Sequence, residues 1–254
     1  MERPFVLSGG GCRCVAQLGA IKALNEHNIY PSEISGTSGG AMVGAFLANG
    51  LTPEQIKDLL KNNLSIHILA WNGFKEGLAS MKNIEAFLKD HLRLKKFEDL
   101  PTKLYITATN FETGMQQIFS KGDLIKALLA ANSIPVIFPP TSIDNVPYVD
   151  GGLSDNLPVE PFIDRKNEVV SIYVNPIRDF TPNETYTEIV DRSLNIAFRG
   201  KVDRSAAGCF LYIEPPELNK FGLFDIHKIS EIFEIGYTYT KELLKVPVFL
   251  MNHT

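Results

Sequence analysis

Cysteine is scarce in this chain, with three among 254 residues: Cys12, Cys14 and Cys209. Cys12 and Cys14 are too close in sequence for an ordinary bridge, so a disulfide framework is excluded and free thiols in a reducing compartment are expected. The C-x-C pair has no histidine nearby, which argues against a metal site; no metal and no other cofactor is expected. No run of 18 apolar residues exists, so no transmembrane helix is expected. Met1-Glu2-Arg3-Pro4 lacks the charged region and apolar stretch of a signal peptide. The expectation is a cytoplasmic, soluble chain, with room for peripheral contact with membranes. Lys and Arg number 25 against 29 Asp and Glu, and no basic block of five or more occurs, which excludes nucleic acid as a partner. Repeats, low-complexity runs and long Gly/Ser/Pro linkers are also absent, so residues 1–254 are expected to form a single domain.

The residues present suit a folded enzyme. The chain is 44% hydrophobic and 21% charged, enough for a sizeable core. Strand-like and helix-like segments alternate, which predicts a mostly parallel sheet covered by helices. Phe5-Val6-Leu7 reads as a buried strand ending in glycines, followed by a helix with Val15, Leu18, Ile21 and Leu24 on one face. Ala41 to Ala48 reads as a second helix. Thr52, Pro53 and Gln55 mark a third helix start. Further helices are expected over Asn83 to Leu92, Leu124 to Ala131 and Ile226 to Leu244. Leu104 to Thr109 and Met115 to Phe119 read as a hairpin around Glu112-Thr113-Gly114. Strands are also expected at Pro147 to Val149, Val169 to Val174 and Phe210 to Ile213.

Three glycine-rich stretches carry chemistry. Gly36-Thr37-Ser38-Gly39-Gly40 matches G-x-S-x-G. A nucleophilic serine must stand clear of the sheet on a sharp strand-to-helix turn, and small neighbours permit that strained turn. The following helix aims its N-terminus at the serine, and the Gly39 amide is a natural oxyanion donor. The alternative is a tight turn with a capping serine. Gly9-Gly10-Gly11-Cys12-Arg13 also lies between strand and helix, where successive amides can converge on one anion. Read as a dinucleotide fingerprint it fails, because its last glycine is replaced by Cys14. Arg13 could fix that loop through its five donors or meet a substrate phosphate, and the structural role is favoured. Asp150-Gly151-Gly152 follows a strand directly, which is where an α/β sheet puts catalytic carboxylates, though alone it is more often a turn and takes its weight from the other motifs.

A triad would need a histidine, and the five are His27, His67, His91, His227 and His253. None occupies a strand-to-loop junction, and His227 is the best candidate by chain order. A Ser–His–Asp esterase or thioesterase using His227 and a non-catalytic lipid-binding module are the alternative readings, while the lack of a well-placed histidine favours a dyad. Leu64 to Leu78, with Ile66, Ile68, Leu69, Trp71 and Phe74, could line an acyl pocket, form a lid or pack in the core.

The three glycine stretches, in this order, resemble the patatin-like phospholipases, as does Ser133-Ile134-Pro135-Val136-Ile137-Phe138-Pro139-Pro140. The resemblance covers roughly the first 160 residues. It implies a three-layer α/β/α sandwich with a mostly parallel central sheet. It implies a lipid acyl hydrolase of the phospholipase A or lysophospholipase type, acting through a Ser38–Asp150 dyad and an acyl-enzyme. It also implies an oxyanion hole built from Gly9, Gly10 and Gly11 beside Gly39, no required metal, and a lipid or fatty-acyl ester as partner. Cys14 departs from the family's usual glycine.

Overall fold

The computed structural model describes residues 1–63, 81–177, 180, 182 and 184–245. The stretch Leu64 to Leu78 and the histidines His67 and His253 lie outside the described residues.

Strand β1 (Glu2–Leu7) sends Phe5 and Leu7 to one face and Val6 to the other, and all three are fully buried. A strand buried on both faces belongs in the middle of a parallel sheet. It pairs in parallel with β2 (Tyr30–Thr37) and with β7 (Val170–Ile172). Outside these lie β3 (Lys103–Asn110) beside β2 and β8 (Leu211–Ile213) beside β7, both parallel. Antiparallel strands β4 (Gln116–Phe119), β5 (Thr141–Ile143) and β6 (Val146–Asp150) complete an eight-stranded sheet at the β3 end.

The register around β3 places the site. β3 pairs with β2 over Lys103–Thr107 and with β6 over Ala108–Asn110. Ile106 and Thr107 pair with β2 and β4 at once, while Ala108 and Thr109 pair with β4 and β6 at once. Since a strand has two edges, β2 and β6 must share one of them, with β4 on the other. The two strands run towards each other along that edge. β2 ends with Thr37 opposite Thr107, and β6 ends with Asp150 opposite Ala108. The residue after Thr37 therefore meets the end of β6.

Helices cover both faces. Against the Phe5 and Leu7 face lie α1 (Val15–Glu26), α2 (Ser38–Ala48) and α5 (Leu124–Ala131). With them pack α3 (Pro53–Asn63), α4 (Lys82–His91) and α7 (Ile229–Leu243). α1 and α7 approach backbone to backbone: a Cβ on Gly19 would lie 2.0 Å from the Phe233 carbonyl oxygen, and one on Gly236 would lie 1.9 Å from that of Ala16. On the other face Val6 packs with Leu157, Val159, Phe162 and Tyr173, together with Val202 from α6 (Tyr186–Ala206). The result is the expected three-layer α/β/α arrangement.

Local signals act where chemistry predicts. Thr52 Oγ1 accepts from the Gln55 amide at 3.2 Å, and Gln55 Oε1 accepts from the Thr52 amide at 2.8 Å, so α3 starts with a reciprocal cap. The last helix begins later than its periodicity suggests, because Ile226–Lys228 form a 3-10 turn before α7. The short β5 and the long α6 escape sequence reasoning, and β2 is expected only as the strand implied before Ser38. α6 carries apolar residues outside its row of Val190, Leu194 and Phe198 as well, with Tyr186, Ile189 and Ile196 exposed, so its pattern does not read as one buried face. Its start does carry a local signal, the capping box formed by Thr185 and Glu188.

Candidate active site

Ser38 opens α2 immediately after β2 and has φ of +51°. A non-glycine residue in the left-handed region costs on the order of 1–3 kcal/mol and persists where its surroundings enforce it. Here the backbone on either side is closely packed. A Cβ on Gly36 would fall 2.8 Å from Gly40 backbone atoms, and one on Gly40 would fall 2.3 Å from the Ser8 carbonyl oxygen. Both glycines are thus required by close approach of backbone, as a serine elbow demands. Ser38 is 6% exposed and lines two cavities.

Asp150 ends β6 and is 8% exposed. Its Oδ1 accepts from the Gly152 amide at 2.8 Å. The Ser38 hydroxyl lies close enough to favour the ionised carboxyl, but Oδ2 accepts no well-formed hydrogen bond and is buried. Burial pushes the Asp150 pKa up to about 6, against the opposing pulls of Ser38 and the Gly152 amide. A carboxylate with one oxygen held and the other open is arranged to accept a proton. Gly151 permits this approach, since a Cβ there would lie 2.1 Å from the Thr107 carbonyl oxygen.

The glycine loop lies against the same serine: a Cβ on Gly9 would be 3.0 Å from Ser38 Cβ. The Gly9 amide, expected as an oxyanion donor, instead donates to Asn156 Oδ1 at 3.1 Å. This corrects the role of Gly9, whose N–H and C=O are both used to brace the loop, the latter accepting from Asn175 Nδ2 at 2.7 Å. The amides of Gly10, Gly11 and Gly39 have no hydrogen-bond partner among the described residues. Gly11 has φ of +56° and Gly10 of +153°, and α2 adds its N-terminal dipole. Cys14, at the position of the family's usual glycine, packs its sulfur over Gly39 and bonds the Ser8 carbonyl at 3.4 Å. Burial raises its thiol pKa, so it serves as a small apolar residue.

Arg13 is 3% exposed and makes two 2.9 Å bonds to Asp191 of α6, plus one of 3.3 Å to the Phe221 carbonyl. The arginine therefore fixes the loop, as the sequence suggests. Its partner Asp191, and the braces Asn156 and Asn175, went unrecognised in the sequence. Only the Asn156 position, six residues after Asp150, was near a motif.

Two cavities meet at Ser38. One is walled by Met42, Phe46, Leu60, Ile84, Phe87 and Phe138. The other lies under α6 and includes Asp150, Gly10 and Asn156. None of the three described histidines bonds Ser38 or Asp150. His27 and His91 bond their own helices through Nδ1 at 2.9 and 2.8 Å, and His227 is exposed. Among the described residues, no three His, Cys, Asp or Glu side chains gather to hold a metal.

Comparison with known proteins gives the family and the fold. Residues 5–163 match the family described as Patatin-like phospholipase. Lysophospholipase NTE1 of Coccidioides immitis is 27% identical over 279 aligned residues, covering 94% of this chain and 17% of that protein. The NTE1 lysophospholipase of Kluyveromyces lactis is 26% identical, covering 95% of this chain and 19% of the relative. The chain thus spans under a fifth of the length of these curated relatives. Among solved structures, VipD from Legionella pneumophila superposes with a TM-score of 0.64 at 18% identity, over 96% of this chain and 66% of VipD. A structure of SpcU with ExoU from Pseudomonas aeruginosa gives 0.50 at 17% identity, over 96% of this chain and 53% of that one. At such identities the likeness is one of fold.

Proposed function

The chain belongs to the patatin-like phospholipase family, and from that premise we propose that it hydrolyses fatty-acyl esters of lipids with Ser38 as nucleophile and Asp150 as base. The observation that carries this reading is the meeting of a strained Ser38 with the buried, open Oδ2 of Asp150 at one edge of β3.

Asp150 Oδ2 takes the Ser38 proton as Oγ attacks the ester carbonyl carbon. The amides of Gly10, Gly11 and Gly39 hold the tetrahedral oxyanion. Collapse expels the alcohol, which receives the proton from Asp150. Water then gives a proton to Asp150, attacks the acyl carbon, and releases the acid as Ser38 Oγ recovers the proton. The Ser–His alternative has no support in the exposed position of His227.

The position of Asp150 also orients the substrate. The group that protonates the departing oxygen must lie on the alcohol's side. Asp150 lines the cavity under α6 and not the one beside Phe46 and Phe87. The acyl chain therefore occupies the Phe46–Phe87 cavity and the alcohol the other. The substrate class is that of phospholipase A and lysophospholipase enzymes, in keeping with the name of the NTE1 relatives. No described helix is long and apolar enough to cross a membrane. Exposed Val136, Leu153 and Phe224 around the cavities suit transient contact with a lipid surface.

The test uses a fluorophosphonate probe and a soluble acyl ester. The parent protein should label at Ser38 and turn over the ester; Ser38→Ala should do neither while melting as a folded protein. Ester hydrolysis by Ser38→Ala within tenfold of the parent would sink the assignment.

A further inference from the structure

Resting on that reading, we propose that the cavity under α6 is a subsite for a second hydrocarbon chain, so that the preferred substrate is a two-chain lipid ester. Its volume is about 240 Å³, more than a passage for water requires. One wall is an apolar stripe of α6, Val190, Leu194 and Phe198, spaced four residues apart. At 1.5 Å per residue this stripe runs about 12 Å in a nearly straight line, a surface that suits an extended alkyl chain. The facing wall carries Ile134, Val136 and Leu153.

Most of the charge in the same cavity is already committed. Arg13 is the one cation among the described residues lining it, and both its Nη atoms are bonded to Asp191, which is thereby neutralised too. Asn156 Oδ1 and Asn175 Nδ2 are held by Gly9. Apart from the groups assigned above to the chemistry and the buried Arg13 Nε, which has no partner among the described residues, the polar capacity that remains is uncharged, Asn195 and Asn175 Oδ1, which suits a glycerol or ester oxygen. A phosphate placed there would meet one arginine N–H at most, too little to replace its hydration. The mouth is apolar as well. Val136 is 80% exposed with φ of +73°, a strained conformation for a β-branched residue, and it stands beside half-exposed Leu153 and Val190.

Four esters of one fatty acid test this in neutral-detergent mixed micelles at equal mole fraction: diacylglycerol, monoacylglycerol, diacyl phosphatidylcholine and lysophosphatidylcholine. Each two-chain lipid should exceed its single-chain counterpart at least tenfold in kcat/KM. Leu194→Trp, which fills the cavity, should bring both ratios towards one. Leu153→Trp, at a half-exposed position, makes the same test if the first variant fails to fold. Ratios at or below one in the parent, or ratios that neither tryptophan changes, overturn the subsite while Ser38 labelling still supports the hydrolase. Absence of both labelling and turnover overturns the hydrolase reading and the subsite with it.

Discussion

At the residue scale, the proposed base is kept in a state that the fold disfavours. Burial raises the Asp150 carboxyl from its ordinary 3.8 to about 6, so the folded chain holds a proton that the unfolded chain has released. The sign follows from linkage. Between about pH 4 and 6 folded stability falls as pH rises, and above that the penalty is complete, at most about 3 kcal/mol. Asp150→Asn removes the titration while its Oδ1 can still accept from the Gly152 amide. The variant should therefore melt higher than the parent at pH 8 and no higher at pH 4, as read by calorimetry. Its turnover should fall by on the order of a hundredfold or more, in acylation and deacylation alike. The parent's rate on a soluble ester should rise with pH through an apparent pKa of about 6. A flat profile from pH 5 to 8, or an Asp150→Asn variant with near-parental turnover, would contradict the dyad.

At the scale of elements, α6 is held by ion pairs at points flanking the cavity. Arg13 grips Asp191 near its start, and Lys201 bonds Asp155 at 3.1 Å and the Ser154 carbonyl at 2.7 Å near its end. Deleting one partner of the buried pair strands the other charge, at a loss on the order of 3–5 kcal/mol. Asp191→Ala should show that loss in urea denaturation, and proteolysis should open α6 before the sheet. Arg13→Met with Asp191→Leu should recover part of the stability, because no charge is left buried. The α1–α7 contact makes a sharper case. Gly236→Ala sets a methyl against the Ala16 backbone, where no rotamer change gives relief. It should lower stability by at least about 1–3 kcal/mol, or several degrees in Tm, and leave labelling of Ser38 below the melting range unchanged.

At the scale of the whole molecule, the proposed chemistry draws on groups from distant parts of the chain: the loop after β1, the turn after β2 and the end of β6. All donors proposed for the oxyanion are backbone amides, so hydrolysis of a soluble ester should survive chelator treatment with its rate unchanged within error; a calcium requirement at the chemical step would overturn the mechanism. The motifs Gly36–Gly40, Gly9–Arg13 and Asp150–Gly152 were legible because each is a local solution to a backbone problem, with spacing written in adjacent residues. The strands and helices with one apolar face were legible for the same reason. α6 was not, since its apolar residues answer to the sheet, the cavity and solvent at once. Nor was the use of the Gly9 amide, which depends on Asn156 arriving from 147 residues away. The sequence by itself determined that the chain would build an α/β sheet and singled out the residues proposed for the chemistry, because glycine spacing and hydrophobic period act over a few residues. The tertiary structure alone decided that β2 and β6 end nose to nose on one edge of β3, that Arg13 spends its charge on Asp191, and that two cavities open on either side of Ser38. Those follow from strand register and long-range pairing, which no local pattern encodes.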